Sequence, residues 1–312
     1  MNHRLSVFIV LCCVLLAACK DNAIDKTSLQ PPIVPDQKEY IEVAYAMGSS
    51  AQKLDIFLPT SGTAPFPVLM WIHGGGWKGG DKAEFRTTNR KSELLKRGYA
   101  VVVINYRLSG EAKFPTQIYD VKAAIRWVKA NATTYAMNAE KIGVWGSSAG
   151  GHLSALAGVS GNVPDLEDMS QGNSGFSSNV QVVIDWYGPV DLLKMDEMAI
   201  AQGCSGSTHN AATSAESELV GYQITTQPAL VANVSPLTYI TSDDPPIFME
   251  HGLLDCTVAY NQSQLLYDQL LPVLGGEKLK LKFLANTGHG GGLFGDNDTI
   301  TEAIDFLDIY LK

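Results

Sequence analysis

What most narrows the fold of this chain is an alternation. Short apolar runs, separated by segments with helical spacing, recur from about residue 40 to the end of the sequence. Runs such as "VVVIN" at 101–105 and "VQVVID" at 180–185 are largely β-branched instead of alternating with polar residues, as strands covered on both faces should be. Strands interleaved with helices imply an α/β fold with a mostly parallel central sheet of about eight strands and helices on both faces. The expected strands are Tyr40–Ala46, Leu54–Leu58, Val68–Ile72, Ala100–Asn105, Ile142–Trp145, Val180–Asp185, Ile247–His251 and Leu279–Leu284. Helical spacing is clearest over 115–130, where Ile118, Val121, Ala124, Ile125 and Val128 share a face and Pro115 suits a first turn. Leu265, Leu266, Leu270 and Leu271 mark a second helix, and Thr299 to Leu311 a third.

The interval from Val190 to Pro246 breaks the pattern. It is rich in Ser, Thr, Gly and Ala ("GCSGSTHNAATSAES") and reads as a small insertion over the sheet. No internal repeat is present. A chain of 312 residues, 46% hydrophobic and 18% charged, accommodates one large domain, expected at 39–312. A net charge of −9 without a basic cluster excludes a phosphate-binding face, so no nucleic-acid partner is expected.

The first nineteen residues, "MNHRLSVFIVLCCVLLAAC", have a basic start, an apolar run too short to span a membrane, and small residues before a cysteine. This is the layout of an export signal, and "LAAC" resembles the bacterial lipobox. Residues 1–19 are therefore expected to be a lipoprotein signal peptide ending at Cys19, whose acyl chains would anchor an exported protein to a membrane. An ordinary secretory signal is the alternative. Residues 20–38, polar with three prolines, read as a flexible tether. Cys204 and Cys256 remain in the folded part. In an exported chain they are expected to form a disulfide, with two buried thiols as the alternative.

One stretch carries chemistry: "KIGVWGSSAGGHL" at 141–153. The pattern G-x-S-x-G needs small residues two before and two after a nucleophile, because the strand-to-helix turn is too tight for larger side chains. Centred on Ser148 the stretch supplies Gly146 and Gly150; centred on Ser147 it would place Trp145 in the turn. Ser148 is the candidate nucleophile and Ser147 its small neighbour. A glycine-rich turn that merely packs a helix against the sheet is the bland alternative.

A serine needs a base held by an acid, and on this kind of fold they follow in the order serine, acid, histidine. His73 precedes the serine, His152 lies in its own helix, His209 falls in the insertion, and His251 ends a strand with an acid only after it. His289, in the glycine-flanked loop "NTGHGGG", is left as the base. Asp255, four residues past the strand end at His251, is the acid; Asp243 and Asp244 precede that strand and Asp268 sits in a helix. Gly74, Gly75 and Gly76 in "IHGGGW", with Ala149 beyond the serine, can offer backbone N–H groups to an oxyanion. No GK[ST] follows the glycines, which argues against a phosphate loop.

Taken together, "HGGGWKGGDK", "GVWGSSAGGHL", "DWYGPVDL", "SPLTYI", "DDPPIFMEHGLLDCTV", "NQSQLL" and "TGHGGG" resemble the α/β-hydrolase esterases of the bifunctional acetylxylan esterase and feruloyl esterase type, near the hormone-sensitive-lipase-like branch. The resemblance runs from about Tyr40 to the C-terminus. It implies a carboxylesterase with Ser148, Asp255 and His289 as triad and the glycine amides plus Ala149 as oxyanion hole, needing no metal or organic cofactor. It also implies exported enzymes that remove acetyl or hydroxycinnamoyl groups from plant polysaccharide. Two positions depart from the pattern: Ala259 follows Val258 where the family often has proline, and Glu250 stands at an ordinarily apolar strand end. Trp77, Tyr106, Trp186 and Tyr187 are candidate borders of the substrate site. An amidase or formamidase on the same fold, and a catalytically silent glycan-binding lipoprotein, are the rival functions.

Overall fold

A computed structural model describes residues 38–206 and 208–312. The expected signal peptide, Cys19 and all of the expected tether except Lys38 lie outside the described residues.

Eight strands form one sheet: β1 (Glu39–Ala44), β2 (Lys53–Phe57), β3 (Phe66–Ile72), β4 (Ala100–Ile104), β5 (Met137–Ser147), β6 (Val182–Trp186), β7 (Ile247–Gly252) and β8 (Leu279–Leu284). Their spatial order is β1-β2-β4-β3-β5-β6-β7-β8. β1 and β2 run antiparallel at one edge, and every pairing from β4 to β8 is parallel. The helices are α1 (Asn89–Lys96), α2 (Thr116–Asn131), α3 (Ala149–Val159), α4 (Met195–Ala201), α5 (Ala215–Val220), α6 (Pro228–Val231), α7 (Asn261–Leu274) and α8 (Asn297–Leu311).

The continuous apolar runs are explained by two cores, one on each face. In β4, Ala100, Val102 and Ile104 join the core packed by α2, α3 and α7, while Val101 and Val103 join the core packed by α1 and α8. β3 divides likewise, with Val68, Met70 and Ile72 on one side and Leu69 and Trp71 on the other. Successive strand side chains point to opposite faces, so a strand buried on both has no polar positions to spare.

Most strand ends shift by one or two residues from the sequence reading, and three further differences have a physical reason. β5 begins at Met137, five residues before the apolar run, because Met137 pairs with Phe66 while Asn138 to Lys141 stay partly or fully exposed. Pro115 caps α2 with non-helical geometry (φ −95°, ψ 16°) and does not occupy its first turn. α1 went unpredicted: "NRKSELLK" buries only Leu94, so its helical period is nearly invisible, and its start is marked instead by the Thr88 side chain accepting from Lys91 N–H. Across 190–246 the described residues contain short helices and no strand, as expected of the insertion.

Candidate active site

Ser148 lies between the end of β5 and the first turn of α3, at φ 55° and ψ −123°. A non-glycine residue in that region is strained and persists only when its surroundings over-determine it. Here Ser148 N–H donates to Trp186 O at 2.8 Å, and His152 N–H donates to Ser148 O at 3.0 Å. The glycines on either side are sterically required. A Cβ on Gly146 would sit 2.1 Å from Gly150 O, and one on Gly150 would sit 2.1 Å from Ile72 O. The turn therefore presents Ser148 by pressing α3 onto β3 and β5. Ser147 packs beside it, its hydroxyl bonded to the Tyr187 side chain.

The structure brings the three residues singled out above into one hydrogen-bonded chain. His289 Nδ1–H donates to Asp255 Oδ2 at 2.6 Å, and His289 Nε2 lies 2.8 Å from Ser148 Oγ. A carboxylate can only accept, so the ring proton sits on Nδ1 and leaves Nε2 free to accept from the serine hydroxyl. Asp255 follows β7 and is fully buried; its Oδ1 accepts from Thr257 N–H at 2.8 Å and Val258 N–H at 2.9 Å. Burial opposes its ionisation, yet hydrogen bonds from His251 and His289 prevail and hold its pKa down at about 2. The imidazole thus faces a permanent anion at neutral pH. The Tyr187 ring meets the His289 ring edge-on at 4.8 Å.

Ser148 and His289 open on a cleft of about 790 Å³ that is also lined by Gly74, Gly75, Gly76 and Ala149. All four expected oxyanion donors therefore border the nucleophile. A Cβ on Gly74 would stand 2.8 Å from Ser147 O, and Gly75 and Gly76 have φ of 104° and 59°, so side chains are excluded where the loop passes the serine. Ala149 is the first residue of α3, where N–H groups have no partner within the helix.

Other candidates fall out of the site. Trp77 and Tyr187 line the cleft, whereas Tyr106 and Trp186 do not. Tyr106 stacks on the His73 ring and donates to His73 O; Trp186 donates its indole N–H to Glu250 Oε2 at 2.6 Å. That bond is the local partner of the unusual Glu250, which is fully buried on β7 and does not line the cleft. His152 accepts from Trp77 Nε1–H and donates to Val234 O, a packing role that burial enforces by pushing its pKa down to about 4. Asp244 accepts from Thr241, and Asp268 from Gln264. Ala259, in place of proline, is buried and leaves the Val258 N–H bond to Asp255 intact.

The insertion, expected to lie over the site and shape the pocket, supplies a wall of the cleft, although sequence reasoning did not single out its residues. Thr208, His209, Thr213, Ser214 and Glu216 form that wall, and His209 Nδ1 lies 2.9 Å from Glu216 Oε1. Asp196 accepts from the His209 and Asn210 N–H groups and fixes that turn. A weak local signal existed, since His209 and Glu216 are the only groups of their kind in "GCSGSTHNAATSAES". Cys204 and Cys256 are joined by a disulfide, tying the insertion to the Asp255 loop.

The profile described as BD-FAE matches residues 54–270. The chain belongs to the BD-FAE family. Its α/β-hydrolase fold is shared with a truncated carbohydrate esterase from gut microbiota, 33% identical over 88% of this chain and 96% of that one, with a TM-score of 0.78. A bifunctional GH43-CE protein of Bacteroides eggerthii is likewise 33% identical, with a TM-score of 0.78 over 87% of this chain and 38% of its own. Among curated relatives, esterase LipC of Mycobacterium tuberculosis is 31% identical over 244 residues, 77% of this BD-FAE chain and 57% of LipC. The chain thus spans little more than half the length of that relative.

Proposed function

We propose that this protein is a serine carboxylesterase that works through an acyl-enzyme on esters of hydroxyl-rich alcohols, acetyl or hydroxycinnamoyl esters on plant polysaccharide such as xylan. The observation that carries the reading is the unbroken chain Ser148 Oγ, His289, Asp255, opening on a cleft at the N-terminus of α3. His289 Nε2 takes the Ser148 proton as Oγ attacks the ester carbonyl, and Asp255 holds the ring and stabilises the imidazolium. The N–H groups of Ala149 and the 74–76 loop receive the oxyanion. The imidazolium protonates the departing alkoxide; water, deprotonated by the same histidine, then releases the acid and returns Ser148.

The alcohol preference rests on the polar wall of the cleft, with Thr208, His209, Thr213, Glu216 and Thr257 offering hydroxyl, imidazole and carboxylate groups to a polyol. Likeness to a gut carbohydrate esterase supports the same substrate class. Export and lipid anchoring at Cys19 belong to the proposal, since a polymer substrate lies outside the cell.

The test is release of acetate and ferulate from acetylated xylan and feruloylated arabinoxylan, run beside 4-nitrophenyl acetate and an N-formyl aromatic amine. Ester turnover that disappears in Ser148→Ala is expected. Amide turnover without ester turnover sinks the reading.

A further inference from the structure

We infer that His251 positions the Asp255 carboxylate for His289, and that the Ser263 hydroxyl selects the His251 tautomer able to do so; this rests on the hydrolase reading above. His251 precedes Asp255 in sequence, the wrong order for a triad base. Its surroundings assign it another task.

His251 and Ser263 are both fully buried, at the end of β7 and in the first turn of α7. His251 Nε2 lies 2.8 Å from Val258 O and 3.3 Å from Asp255 Oδ2, while Nδ1 lies 2.7 Å from Ser263 Oγ. A carbonyl and a carboxylate only accept, so the proton is on Nε2 and shared between them, and the bare Nδ1 accepts from the Ser263 hydroxyl. Were the proton on Nδ1, two acceptors, Val258 O and Asp255 Oδ2, would face the unprotonated Nε2.

The consequence falls on Asp255. Its Oδ1 takes two loop amides, and its Oδ2 takes His289 on one side and His251 on the other, so each oxygen is held from two directions. A carboxylate held this way cannot rotate, and Oδ2 stays aligned with His289 Nδ1. The neighbouring loops reinforce the arrangement. A Cβ on Gly252 would lie 2.3 Å from Thr287 O, and Leu254 N–H donates to Thr287 O at 2.9 Å, so the strand carrying His251 is pressed against the loop carrying His289. Besides Asp255, the ionisable groups facing His251 are Asp185 on β6 and Tyr187 just after it. The same hydrogen bond delocalises charge from Asp255 and tempers its pull on the His289 proton, which makes the role visible in a pH profile.

The experiment is the pH dependence of kcat/KM for 4-nitrophenyl acetate in the full chain and in His251→Phe, His251→Gln and Ser263→Ala, with Tm measured for each. His251→Phe is expected to lose about tenfold or more in kcat and to move the acid limb upward by about half a pH unit, because Asp255 then holds the imidazolium more tightly. His251→Gln, whose amide N–H reaches near the Nε2 position, is expected to recover most of the rate and the limb. A folded His251→Phe with an unmoved acid limb, or a His251→Gln no better than His251→Phe, overturns the inference. If His251→Phe does not fold, Ser263→Ala decides: an upward shift supports the inference and an unmoved limb overturns it. Absence of ester turnover in the wild type would instead sink the hydrolase reading, which separates the two failures.

Discussion

Ser148 spends on the order of 1–3 kcal/mol in a backbone region that side chains avoid, and its neighbours reveal why that conformation holds. Two hydrogen bonds and two glycines leave it no other place. Ser148→Ala should keep the fold and lose about 10⁴-fold or more in kcat, measured with 4-nitrophenyl acetate and checked by circular dichroism. Asp255→Asn should fall by about 10⁴-fold as well, because an amide can turn its NH₂ toward His289 and invert the tautomer. Single residues also set the pH response. His152 is buried neutral with its pKa pushed down to about 4, so its contribution to stability is present above the unfolded value near 6.5 and is lost as pH falls from there toward 4. Asp185 and Glu250, raised by burial to about 6 and about 7, act in the opposite sense and gain stability on acidification. The His152 contribution is therefore read from a difference: between pH 6.5 and 4 the wild type should lose more unfolding free energy in urea than His152→Gln, by an amount on the order of 3 kcal/mol. At this scale the sequence was highly legible. Gly146, Ser148 and Gly150 could be ordered by steric demand alone, whereas nothing local to His251 distinguished it from a core residue and Glu216 stood out only weakly from its surroundings.

Among the elements, α3 and the strands under it are the most tightly coupled. Gly150 touches the backbone of β3, and a Cβ on Gly151 would meet Asp185 Oδ1 at 2.3 Å, so the helix that begins at Ala149 has no slack. Gly146→Ala should destabilise by about 1–3 kcal/mol in urea unfolding and reduce activity in the surviving folded fraction, since relief requires moving α3. Strands were found in sequence wherever both faces are buried, as in β4 and β6, because apolarity is then continuous. The polar first half of β5 and the single buried residue of α1 escaped for the converse reason. Their existence depends on a partner, Phe66 for one and the α8 face for the other, and not on their own composition.

For the whole molecule, the decisive link is the disulfide between Cys204 and Cys256, which joins the cleft wall to the Asp255 loop across 52 residues of sequence. Loop-closure entropy puts its stabilisation at about 4 kcal/mol or less. Cys204→Ser with Cys256→Ser should lower Tm accordingly and reduce kcat/KM on acetylated xylan more than on 4-nitrophenyl acetate, because the wall at 208–216 loses its tether to the acid loop. Unchanged melting and unchanged activity would deny the bridge any such role. The sequence by itself determined the α/β alternation, the glycines about Ser148 and the chain order of Ser148, Asp255 and His289, because the first two follow from periodic or steric demands carried by neighbouring residues and the third is read directly along the chain. Only the tertiary structure decided which polar groups of the insertion reach the cleft, and that the buried His251 lies against Asp255. Those relations join residues tens of positions apart through space, and no local pattern encodes a distance.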